Sequence, residues 1–242
     1  MFRLLFVSLM ITIGVSSFAQ GKINRNSQNS KSTKISTTSA SSVSGKINGH
    51  DYVDLGLPSG IKWATCNVGA NSAQSSGDFF AWAETSPKNE YSWDTYFDYD
   101  HKDEYGTVFC KKYLTYVNQT ATISPDSGDD AARKNWGGTW RMPTSEEFKE
   151  LQDKCVFKSI TINGVSCWKV IGPSKKFIIL PLAGKKDGKQ LVNKNEFGYY
   201  WTSSVEEYSG PSNAEGIVGY WRGISGGIGN RYQGATIRPV SN

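Results

Sequence analysis

Four groupings in this 242-residue chain have residue types that could do chemistry. Gly223-Ile224-Ser225-Gly226-Gly227 matches G-x-S-x-G, the pattern that exposes a nucleophilic serine on a sharp strand-to-helix turn. Asp94, Asp98, Asp100, Asp103 and Glu104 surround His101 and offer oxygen ligands to a hard cation such as calcium. Glu206, Glu207 and Glu215 could pair as acid and base for glycoside hydrolysis. Cys66, Cys110, Cys155 and Cys167 supply thiols.

Each grouping has a plainer reading. A nucleophile elbow needs a helix directly after it, yet the chain continues Gly-Ile-Gly-Asn, and both histidines, His50 and His101, lie far upstream. The segment therefore reads as a glycine-rich turn. The acidic spacing fits no EF-hand loop and reads as a solvated acidic loop, while Asp126, Asp129 and Asp130 suit turns and helix caps. The cysteines contain no C-x-x-C and do not resemble a zinc site. Four of them in an exported chain permit two disulfides in three connectivities; free buried thiols are the alternative. Glutamate pairs occur on any surface. No catalytic residue, no metal and no cofactor is expected.

The elements that would position a site are easier to read. Asn135 to Phe148, NWGGTWRMPTSEEF, gives a tight turn at Gly137-Gly138, a rigid Trp140-Arg141-Met142-Pro143 segment, and a helix start. Thr144 is placed to cap that helix, with Glu147 closing a reciprocal capping box. Phe148, Leu151 and Cys155 recur at helical spacing and give it an apolar face. A shorter helix over Asp129 to Lys134 precedes it. Strands are expected on both sides of Pro58-Ser59-Gly60, within Asp78 to Trp93, and on both sides of Asn163-Gly164, a strong hairpin signal. Others are expected over Phe177 to Leu182, Gly198 to Ser204, Gly216 to Ile224 and Thr236 to Val240, with Tyr91 to Gly106 irregular. Few helices and many strands predict an α+β domain with an antiparallel sheet.

Composition divides the chain into three. Arg3 and the short apolar run Leu4–Val15 before Ser17-Phe18-Ala19 read as a signal peptide over 1–19. Residues 20–45, rich in Ser, Thr and Asn, read as a disordered tether. Residues 46–242 form the folded domain. Much of the formal +5 charge lies outside that domain, so nucleic acid is not an expected partner. A membrane is expected to be met only through the signal segment if it stays uncleaved.

Six ordered motifs carry a family likeness: DLGLPSGIKWATCNVGA from Asp54, GDFFAWAET from Gly77, NWGGTWRMPTSEEF from Asn135, FIILPLAG from Phe177, GYYWTSS from Gly198 and IRPV from Ile237. Residues 46–242 resemble the Fibrobacter succinogenes major paralogous domain family of Bacteroidetes, which is similar to C-type-lectin-like and formylglycine-generating-enzyme-like domains. The resemblance implies a C-type-lectin-like fold with first and last strands paired and a ligand face of loops between about Gly198 and Arg238. It also implies a scaffold role for Trp136, Gly137, Gly138, Trp140, Arg141, Pro143, Thr144, Glu147, Trp201, Arg238 and Pro239. In several relatives that C-terminal stretch is diversified by retroelements. The calcium-binding loops of sugar-binding C-type lectins are absent, and so are cysteines beyond Cys167 that the oxidase chemistry would use.

The expected function is a secreted, periplasmic or surface-displayed, non-enzymatic adhesin-like module that binds a glycan or protein. The candidate ligand residues are Glu206, Tyr208, Asn213, Tyr220, Trp221, Arg222, Asn230, Arg231 and Tyr232, because aromatic and Arg side chains provide contact area at low entropic cost. Strand alternation puts Tyr200 on the face opposite Tyr199 and Trp201. The alternatives are a structural or assembly subunit of a surface adhesin, and a hydrolase or formylglycine-type oxidase on the same frame.

Overall fold

Two Asn-Gly dipeptides turn two of the domain's hairpins. The computed structural model describes residues 43–113, 121–205, 212–220 and 223–242, all within the unit Ser39–Asn242. Asn48 and Gly49 both take positive φ (44° and 84°), the backbone a two-residue hairpin turn requires. They join β1 (Gly45–Ile47) to β2 (His50–Asp54). Asn163 and Gly164 (φ 49° and 80°) likewise join β6 (Val156–Ile162) to β7 (Val165–Ile171), and β8 (Phe177–Pro181) completes that sheet.

β2 continues through the Pro58-Ser59-Gly60 turn to β3 (Lys62–Ala64), which pairs with β14 (Val240–Ser241). The sheet order is β1-β2-β3-β14. First and last strands thus share a sheet, but the last strand's partner is β3. Ser44, within the expected tether, already hydrogen-bonds to the Tyr52 carbonyl through its N–H at 2.8 Å. The expected signal peptide and most of the tether lie outside the described residues, among which no helix is long and apolar enough to cross a membrane.

A third sheet contains β11 (Phe197–Trp201), β12 (Asn213–Tyr220) and β13 (Gly223–Asn230) in antiparallel order. Two further hairpins pair β9 (Lys185–Asp187) with β10 (Gln190–Val192), and β4 (Tyr99–Lys102) with β5 (Val108–Cys110). The helices are α1 (Ala131–Trp136), α2 (Ser145–Lys154) and a 3-10 turn at Trp93–Thr95. Mostly antiparallel strands with two α-helices make the domain α+β, as its patterning predicts.

Four local expectations are corrected. Gly216 to Ile224 is two strands of one hairpin, because β12 pairs with β13 over their full lengths. Gly223 to Gly227 lies in β13 and is not a turn. The Tyr91 to Gly106 stretch is ordered into the 3-10 turn and the β4–β5 hairpin. Asp78 to Trp93 holds no strand among the described residues; Phe80 instead bridges Ala235 through reciprocal backbone hydrogen bonds of 2.9 and 3.0 Å.

β11 divides the core. Tyr200 packs with Val53, Trp63, Phe148, Leu151 and Ile178, while Trp201 packs with Phe80, Trp82, Trp140 and Ile237. The alternation of successive side chains places Tyr200 opposite its neighbours as expected, but both faces of the strand are covered, so neither residue reaches solvent.

Candidate functional site

The Trp-Arg-Met-Pro segment is a structural junction. Asp130 caps α1 by accepting from the Arg133 N–H at 2.9 Å, and its other oxygen accepts from the Met142 N–H at 2.9 Å. Burial raises this carboxyl's pKa against the opposing pull of those amides. Gly137 and Gly138 take φ of 65° and 60°, and a Cβ on Gly138 would sit 2.9 Å from that of Asn48. Trp136 stacks on His50 with centroids 3.9 Å apart, and meets Trp140 edge-on at 5.2 Å. The fully buried Trp140 donates its indole N–H to the Ile47 carbonyl at 2.8 Å.

Arg141 grips Glu147 in a bidentate pair of 2.8 and 2.5 Å. Glu147 also accepts from the Thr144 N–H at 2.9 Å while its own N–H donates to the Thr144 hydroxyl at 3.3 Å, so the capping box is present. The Pro143 carbonyl accepts from Ser203 N–H at 2.8 Å. Trp201 donates to the Phe80 carbonyl at 2.9 Å. Arg238 is fully buried and donates to Asn67 Oδ1, Ala64 O and Ile179 O at 2.8, 3.0 and 2.8 Å. Pro239 accepts from the Ala64 N–H at 2.9 Å.

The described candidate ligand residues do not form one face: Asn213, Asn230, Arg231 and Tyr232 are neighbours, and Tyr220 stands apart. Glu206, Tyr208, Trp221 and Arg222 lie outside the described residues. Asn213 and Asn230 face each other at one end of the β12–β13 hairpin, and Tyr220 stands at the other, about 24 Å away at ~3.4 Å per residue. The expected loop face is largely this sheet. Tyr220 is half-buried, with its ring 6.4 Å from that of Phe197.

Arg231 is corrected outright, because it is completely buried. Its Nε donates to Asn213 O at 3.0 Å, Nη1 to Lys112 O at 3.1 Å and Nη2 to Tyr113 O at 2.9 Å. Asp98 Oδ2 lies 3.6 Å from Nη1, close enough for charge attraction and too far for a hydrogen bond; Asp98 Oδ1 accepts from the Lys112 N–H at 2.8 Å. A guanidinium with its donors committed to carbonyls is a framework group. Nothing in its own neighbourhood, Asn230-Arg231-Tyr232, announces this, since its partners come from distant segments.

The chemical groupings disperse likewise. Ser225 lies within β13, with no helix after it. In the acidic cluster Asp98 is buried, Asp103 Oδ1 accepts from Tyr105 and Thr107 N–H groups at 3.0 and 2.7 Å, and Asp100 meets His101 at 2.9 Å. The solvated-loop expectation therefore fails for Asp98. Among the described residues no group of three His, Cys, Asp or Glu is placed to hold a metal.

All four cysteines are free thiols, so the disulfide option is not realised. The reason is spatial: Cys66, Cys110, Cys155 and Cys167 pack in four separate apolar clusters. Burial pushes the Cys110, Cys155 and Cys167 thiols up to about 11, away from nucleophilic reactivity.

What the fold does assemble is an aromatic groove of about 390 Å³ beside Tyr232. Trp93, on the 3-10 turn, meets Tyr232 edge-on at 4.8 Å and Tyr99 at 6.1 Å. A register shift between Tyr99 and His101 in β4 marks an irregularity there, the kind of feature that re-aims a side chain. Buried Tyr91 forms the floor. Asp187 is fixed by the Tyr232 hydroxyl at 3.2 Å and the Gln233 amide at 2.7 Å. Asp94 and Lys102 line the rim, exposed and without an ion pair among the described residues. Of the groove residues, only Tyr232 was expected from sequence as a ligand contact. The aromatic run through Trp93 and Tyr99 is visible there, but its convergence with Tyr232 is not.

Comparison with protein-family models, curated proteins and solved structures finds no match.

Proposed function

We propose that this protein is an exported, non-enzymatic recognition module that binds a glycan in the Trp93–Tyr99–Tyr232 groove. The groove is the observation that carries the reading. Trp and Tyr rings offer faces on which the C–H side of a pyranose stacks, and carboxylates and a lysine at the rim accept and donate to sugar hydroxyls. Trp93's indole N–H has no partner within the described residues and adds a donor. On this reading the binding surface lies to one side of the β12–β13 hairpin. The likeness of the six motifs supports placing the chain in the Fibrobacter succinogenes major paralogous domain family with a C-type-lectin-like frame. The apolar run before Ala19 supports export.

The test is a glycan array probed with the protein in calcium and in chelator. Saturable binding that survives chelation and falls at least tenfold in Trp93→Ala, with an unchanged melting temperature, is the expected result. Binding that ignores Trp93→Ala and Tyr232→Ala would remove the groove from the function.

A further inference from the structure

Among the described residues, no strand pairs with the outer edge of β13. The Arg231 N–H donates to Ser212 O at 2.9 Å, extending the Asn213↔Asn230 register. In an antiparallel pair the residues that exchange these bonds alternate, so 223, 225, 227 and 229 turn their backbone toward β12. Residues 224, 226, 228 and 230 turn theirs outward. The Ile224 carbonyl is taken by Gln152 Nε2 at 3.1 Å, and the Asn230 carbonyl by the Gln233 N–H at 2.9 Å. Between them Gly226 presents its N–H and C=O without a partner among the described residues.

This stretch opens onto a cleft of about 480 Å³ between α2 and the hairpin. Ser145, Lys149 and Gln152 form its helical wall, and Glu215 and Ile217 belong to the strand side. Ile217 stands directly across from Gly226, and a Cβ on Gly226 would meet nothing within 4 Å. The cleft is therefore open at this position because the residue has no side chain.

We infer that this edge binds an extended peptide segment of a partner protein, added as a fourth strand alongside β13 with an apolar side chain over Gly226 against Ile217. Three features select that occupant. Exposed sheet edges are normally blunted by Lys, Pro or charge, whereas the eight residues of β13 include none of these. A strand so rich in glycine offers main-chain hydrogen bonds rather than side-chain contacts, which is the currency of strand addition. The edge sits inside a cleft walled by α2, so its visitor must be thin, and a single extended chain fits where a second folded sheet does not. The inference is independent of the glycan reading.

The experiment is a random ten-residue peptide display library selected against the whole protein. Each recovered peptide is then measured against Gly226→Pro, Gly226→Leu and Trp93→Ala. Proline at 226 removes an outward N–H and no ladder bond, and leucine fills the cleft; melting temperatures identify a variant that fails to fold, and the other then decides. The expected result is recovery of peptides sharing an apolar position, at least tenfold weaker binding to the folded 226 variants, and binding to Trp93→Ala within twofold of the unaltered protein. N-methylation of alternate peptide amides should also abolish binding. No recovered peptide, or peptides indifferent to both substitutions at 226, overturns the proposal.

Discussion

Arg231 and Trp82 are joined twice: the guanidinium carbon lies 4.8 Å from the indole ring centroid, and the Trp82 backbone N–H donates to the Arg231 carbonyl at 2.8 Å. The contact ties the aromatic-rich loop around Phe80 to the end of β13. It converts a residue with the composition of a binding hot spot into an internal strut.

Arg231→Ala should therefore act on stability. It leaves the carbonyls of Lys112, Tyr113 and Asn213 without these donors and the buried Asp98 carboxyl without a nearby cation. Breaking a buried charge pair and its hydrogen bonds costs about 3–5 kcal/mol. Urea unfolding is the measurement, and Arg231→Lys should recover little, because an ammonium cannot span three carbonyls. Normal stability in Arg231→Ala would sink the framework role.

Trp140→Ala removes a fully buried indole and its hydrogen bond to Ile47. Truncation of a core Trp costs about 3–5 kcal/mol, which should appear as a large drop in melting temperature. Equal melting temperatures for the two proteins would refute its scaffold assignment.

Glu147 serves two partners, Arg141 and the Thr144 N–H. Glu147→Gln keeps the shape and the capping contact but weakens the ion pair, whose side chains are only 16% and 15% exposed. A loss of about 1 kcal/mol is expected, and Glu147→Ala should lose about 2 kcal/mol because the capping box goes as well. Equal losses in the two variants would mean that the cap contributes nothing.

The buried thiols predict alkaline sensitivity. Cys110 and Cys167 titrate near 9 when unperturbed and are pushed by burial to about 11 in the fold. Folding thus favours the neutral thiol: its contribution is complete below about pH 9 and is lost as pH rises toward 11. Denaturant midpoints measured from pH 8 to 11 should fall, and the Cys110→Ala/Cys167→Ala double variant should show a shallower slope. An unchanged slope would assign the alkaline loss to other groups.

Local chemistry made part of this fold legible in sequence. The Thr144 and Glu147 capping box and the Asn163-Gly164 hairpin follow from neighbours within a few residues, and both form. Asn48-Gly49 carries the same hairpin signal. β13 resembles a turn in sequence because glycine ordinarily marks turns. Here the demand is for small size: a Cβ on Gly229 would lie 2.8 Å from Trp201, and one on Gly227 2.6 Å from Val218. Neither glycine takes a positive φ, so no turn signal was ever being sent. Arg231 was misplaced for a related reason, since burial is decided by distant segments that local composition does not reveal. The groove was hidden in the same way, as Trp93, Tyr99 and Tyr232 meet only once β4 and the end of β13 are in place.

The pairing of Val240 with Trp63 also sets an order of events during synthesis. β3 emerges from the ribosome long before β14, and its sheet stays one strand short in the interval. Ala64 and Ile179 likewise wait for Arg238 to arrive and satisfy their carbonyls. Pairings this remote in sequence are slow to form. A chain released before β14 is made would lack the partner of Trp63 and the donor to the Ala64 and Ile179 carbonyls.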